Sequence, residues 1–70
     1  MNMNRPSILL ADVVNVCAPI QTMQIIDKKT NDVIAEGKDW ELVKFIKEYG
    51  DHEVYRIQAH RETLIIVIKL

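Results

Sequence analysis

Few residues of this chain combine types and spacing that could do chemistry. Asp51-His52-Glu53 puts metal-type ligands in a row, with His60 further along. Consecutive residues on a strand point to opposite faces, so His52 and Glu53 are poorly placed to share an ion, and solvated loop positions account for them. Cys17 with a distant histidine could be a thiol nucleophile, but its place on an apolar helical stripe reads as a small buried hydrophobe. Asp27, Asp32, Glu36 and Asp39 suggest an acidic site, yet turn and cap chemistry explains most of them. Only Gly37 and Gly50 are present, too few for a glycine-rich phosphate loop. The reading is of a non-enzymatic chain without metal or cofactor.

Trp40 has a clearer use. On a helix starting at Asp39, residues Leu42, Val43, Phe45, Ile46 and Tyr49 form the apolar stripe, while Trp40 falls on the other flank with Lys44 and Lys47. An exposed indole beside two cations is a partner-binding anchor. The competing arrangement folds the indole back over the first helical turn, against a lysine stem.

The elements that position these residues must fit in 70 residues, which allows one domain, 1–70. Conformational entropy of roughly 1.5 kcal/mol per ordered residue opposes folding by about as much as so small a core returns, so association is an expected source of stability. Nine basic and ten acidic side chains leave a net charge of −1. No whole-molecule field draws in nucleic acid or an anionic membrane, which weakens the case for either as partner. The single cysteine excludes an intramolecular disulfide and fits a reducing cytoplasm. Arg5 before Ile8-Leu9-Leu10 imitates an export signal, but Asp12 and Asn15 interrupt the run, which is read as mature structure.

Periodicity then divides the chain. Leu9, Leu10, Val13, Val14, Val16 and Cys17 lie on one side of a helical wheel opposite Asp12 and Asn15, which predicts a helix capped by Ser7 and finished by Ala18 before Pro19. Gln24-Ile25-Ile26 and Val33-Ile34-Ala35 flank a turn in which Asp27 and Thr30 can bind amides and Asn31 can take a left-handed conformation. A second helix is expected from Asp39 to Tyr49, with Gly50 as its C-cap. Strands Glu53 to Ala59 and Thr63 to Leu70 follow, joined at His60-Arg61-Glu62. The expected class is α+β, in the order α-β-β-α-β-β, with two helices packed on a four-stranded antiparallel sheet.

Thr63 to Leu70 is apolar on both faces: Leu64, Ile66, Ile68 and Leu70 point one way, Ile65 and Val67 the other. If both helices cover the face bearing Met23, Ile25, Val33, Ala35, Tyr55, Ile57, Leu64, Ile66 and Ile68, the opposite face carries Ile26, Ile34, Val54, Ile65 and Val67 inside a polar rim. That is the anatomy of a protein contact and is expected to form a homodimer interface. One helix on each face would leave no such patch.

From Gln24 to Ile68 the chain resembles short accessory proteins encoded by phages and mobile elements of Gram-positive bacteria. The resemblance rests on D-K-K-T-N-D-V-I-A-E-G-K, a helix, and E-V-Y-R-I-Q-A-H-R-E-T-L-I-I-V-I. It departs at Asn31, where that plan has glycine, and at His60-Arg61-Glu62, where it has an acidic turn. What the resemblance implies is a context rather than a reaction: many such proteins have no settled role, and some small phage proteins act by binding and blocking a host defence component. Together these readings favour a regulatory or inhibitory protein-binding module. The alternative is a small nucleic-acid-binding protein using Arg56, Arg61 and Lys69, for which Tyr55 is the only aromatic on a strand.

Overall fold

The computed structural model describes residues 7–70; Arg5, part of the export-like pattern, lies outside them. Helix α1 (Leu10–Val16) leads into β1 (Thr22–Asp27) and β2 (Val33–Gly37). A 3-10 turn (Asp39–Glu41) precedes helix α2 (Val43–Tyr49), and β3 (Val54–His60) and β4 (Thr63–Ile68) complete the fold. The class is α+β, but the sheet is mixed and the helical region after β2 is split in two.

Strands run in the order β2-β1-β4-β3, with β1 and β4 parallel and both outer pairs antiparallel. The antiparallel expectation is therefore corrected at the centre of the sheet. Apolar composition explains why: β4 has apolar side chains on both faces and takes a central place, while β3, with Arg56, Gln58 and His60, is left at the edge. Chain leaving β2 crosses the sheet through α2, reaches that far edge as β3, and returns as β4 beside β1. A hairpin return from β3 makes β4 antiparallel to β3 and parallel to β1.

Both helices lie on one face. Leu10, Val13 and Val14 of α1, with Leu42 before α2, close over Met23, Ile25, Ile66 and Ile68, and Phe45 and Ile46 pack against this cluster. Each fully buried aliphatic side chain here contributes on the order of 1.5–3 kcal/mol by leaving water.

The ends of both helices differ from expectation. Instead of a Ser7 cap, Ile8 and Leu9 run along the start of β3: Val54 N–H donates to the Ile8 carbonyl (2.7 Å) and Leu10 N–H to that of His52 (3.0 Å). Leu9 is the N-cap, its N–H 3.4 Å from Asp12 Oδ2, and Val16 is 85% exposed rather than part of the buried stripe. Asp39 does not cap α2. Glu41 Oε1 accepts from Lys38 N–H (2.8 Å), and Leu42 N–H is shared between the Lys38 and Asp39 carbonyls as the chain passes from 3-10 turn to α-helix. Gly50 is right-handed, not a left-handed cap, and its value is close approach: a Cβ there would overlap the Ile46 carbonyl and meet Ala11 Cβ at 3.1 Å. Ala11 N–H donates to the Gly50 carbonyl (2.8 Å), which holds α1 against the end of α2.

Candidate protein-contact surfaces

The sheet face away from the helices is built by two rows of side chains in register. Gln24 lies between Glu36 on β2 and Ile65 on β4, and Gln58 of β3 continues that row. Next to it, Val33, Ile26, Val67 and Arg56 make a second row across all four strands. Gln24 Nε2 donates to Glu36 Oε2 (3.1 Å), fixing the polar end of the first row. Ile26 and Ile65 are half-buried by their neighbours, and Val33 is 50% exposed.

Two bulges decide which of the expected interface residues share this face. Pairing steps from Ile25/Ala35 to Ile26/Val33, which leaves Ile34 as the extra residue, packed against the core. Val33, assigned from alternation to the helix-covered face, instead stands beside Ile26. On β3, pairing steps from Val54/Ile68 to Arg56/Val67, so Val54 belongs to the core layer and Tyr55 is the extra residue. Of the expected set, Ile26, Ile65 and Val67 share the open face, while Ile34 and Val54 pack on the core side. Strict alternation fails at a bulge because one added residue inverts every side chain beyond it.

The bulge also gives Tyr55 a role that alternation missed. Its ring is 52% exposed, and Lys28 Nζ lies 4.5 Å from the ring centroid. Val67, opposite the bulge, is only 4% exposed, so the open face is covered at this end, partly covered at Ile26 and Ile65, and most exposed at Val33.

The Trp40 surface is arranged differently from the helical-wheel reading. Trp40 belongs to the 3-10 turn and is 59% exposed, and the cation over its ring is Lys38, with Nζ 5.7 Å from the centroid. Lys44 and Lys47 are exposed on α2. Trp40 thus stands in the turn before α2, and Lys44 and Lys47 on the helix itself. Lys38 also lines an open groove with Ile20, Gln21 and Glu62. Gln21 Nε2 donates to the Glu62 carbonyl (2.7 Å), tying the loop before β1 to the β3–β4 turn.

Several of the residues considered for catalysis make structural contacts. His52 Nδ1–H donates to the Lys69 carbonyl (3.0 Å), its ring lies 5.5 Å from Tyr49, and Glu53 pairs with Lys69 at 3.5 Å. Cys17 is half-buried against the core, and burial, with Asp39 nearby, pushes its thiol above the ordinary range. A raised thiol holds its proton at neutral pH and is a poor nucleophile. Asp27 closes the β1–β2 loop: Oδ1 accepts from Lys29 N–H (2.9 Å) and Oδ2 from the Thr30 hydroxyl (3.3 Å), with Asn31 at a φ of 65°. No helix among the described residues is long and apolar enough to cross a membrane.

Compared with protein-family models, with curated proteins and with solved structures, the chain matches none.

Proposed function

We propose that this chain is a non-enzymatic protein-binding module with a regulatory or inhibitory role. The observation that carries this reading is the position of both helices on one sheet face, which leaves Val33 exposed and Ile26 and Ile65 only partly covered on the other, among the polar side chains of Glu36, Gln24, Arg56 and Gln58. An apolar centre inside a polar rim, on a domain with so small a core, gains stability by being covered. The first occupant is a second copy of the chain, packed sheet to sheet as a homodimer. Trp40, with Lys38 stacked on it and Lys44 and Lys47 on the neighbouring helix, is left for a different protein. A module of this kind acts by occupying a surface, and the resemblance to phage and mobile-element proteins makes a host defence component its natural target.

Nucleic-acid binding is the weaker reading, because the one aromatic ring beside the open face already has Lys28 over it. Ile65→Glu tests the dimer. Ile65 has Gln24 and Gln58 as cross-strand neighbours, so the new carboxylate meets polar groups in the monomer, whereas the same change at buried Val67 would put a charge in a dry site. Light scattering should find a wild-type dimer at high micromolar concentration and a folded monomer for Ile65→Glu. A monomeric wild type counts against the reading.

A further inference from the structure

We infer that the outer edge of β3 accepts an extended segment of another protein, with acidic and apolar residues alternating, as a fifth strand of the sheet. This rests on the protein-binding reading above and names the chemistry of the partner. The β3–β4 hairpin closes at His60 opposite Thr63 across the two-residue turn Arg61-Glu62. Closing pairs of such hairpins exchange hydrogen bonds, and bonded pairs alternate along the ladder, so Gln58 bonds to Ile65 while Ile57 and Ala59 turn both N–H and C=O away from β4. Further up, the outward N–H of Val54 is taken by Ile8 and the outward carbonyl of His52 by Leu10. Among the described residues that pairing stops there, and the outward groups of Ile57 and Ala59 have no partner.

The other edge is a poorer template. β2 has five residues, is interrupted by a bulge, and ends at Gly37 with φ at 148°. On β3, side chains specify what should arrive. Ile57 faces the helix layer yet is 41% exposed, because neither helix reaches over it, and Ala59 beside it is exposed as well. Apolar side chains of an added strand would cover both. On the opposite face this end of β3 carries Arg56, Gln58 and His60, followed by Arg61 in the turn. Nearby carboxylates are Glu53, paired with Lys69, and Glu62 on the far side of the turn. Acidic side chains on that face of the incoming strand complement Arg56 and Arg61. A second copy of β3, paired antiparallel about Gln58, would place Arg56 opposite His60 of its twin and leave Arg56 without a carboxylate partner, whereas an acidic strand supplies one.

The test uses the full chain labelled with nitrogen-15 and a blocked eight-residue peptide of alternating Val and Glu. Saturable shifts should centre on the amides of Ile57 and Ala59. A Val/Lys peptide should bind at least about tenfold more weakly, and Arg56→Glu should narrow or reverse that preference. Methylating the nitrogens of alternate Val residues in the peptide removes strand bonds without touching the protein, and should also weaken binding at least about tenfold. The inference is overturned by an absence of saturable shifts at millimolar peptide, by equal binding of the Lys peptide, or by shifts centred on Ile26 and Ile65. Peptide-free protection of Ile57 and Ala59 that grows with protein concentration would also overturn it, since the occupant would then be a second copy. Val33→Glu, on β2 at the opposite edge of the sheet, should disturb the open-face dimer and leave peptide binding unchanged, so failure at this edge and failure of that dimer are read separately.

Discussion

Asp27 and Trp40 show how exposure and partners, rather than residue type, set what a side chain does here. Asp27 is 9% exposed and accepts from the Lys29 amide and the Thr30 hydroxyl, so its removal strands two donors in a tight loop. Asp27→Ala should cost about 1–3 kcal/mol in urea unfolding. Trp40 is mostly in water with Lys38 over its ring. Trp40→Ala should cost under about 1 kcal/mol, the scale of an exposed cation–π contact. A loss for Trp40→Ala as large as that for Asp27→Ala would place the indole in the core and remove it as an anchor. The Cys17 thiol follows the same logic: with its value raised in the folded state, its contribution to stability is complete below the unfolded value and fades as pH climbs through the folded one.

At the scale of elements, the α1–α2 contact depends on one small residue. Gly50 lets the end of α2 approach Ala11, and its carbonyl accepts the Ala11 amide. Gly50→Ala gains helix propensity, yet the added methyl overlaps the Ile46 carbonyl and crowds Ala11, so the balance is overpacking. A loss of about 1–3 kcal/mol is expected, measurable as a lower urea midpoint with unchanged slope. Stabilisation instead would mean that the helices separate without cost. The split between the 3-10 turn and α2 puts Trp40 ahead of the helix that carries Lys44 and Lys47, with Lys38 as the cation over its ring.

For the molecule as a whole, stability should be graded across the sheet. Ile66 and Ile68 on β4 and Met23 and Ile25 on β1 are buried under both helices, whereas β3 is exposed from Tyr55 to His60. Native-state hydrogen exchange should therefore be slowest for the β1 and β4 amides and fastest, among strand residues, for the outward amides of Ile57 and Ala59. Uniform protection across the four strands would refute that gradient.

Much of this was legible in the chain. A two-faced apolar strand at Thr63, the Asp27–Asn31 turn and a core stripe through Leu10, Val13 and Val14 follow from local periodicity and turn chemistry, which act over a few residues. Local sequence also contained the reason for the sheet order, because a strand apolar on both faces belongs between neighbours. What only the tertiary structure decided depends on contacts between distant residues. Parallel pairing of β1 with β4 follows from where the α2 crossover delivers β3. Both helices share one face because Leu42 and Leu10 close over the same isoleucines. The bulges at Ile34 and Tyr55 invert alternation at points that no composition marks, moving Ile34 and Val54 into the core layer and Val33 beside Ile26. Strand register is a property of two segments at once, so one segment read alone cannot contain it.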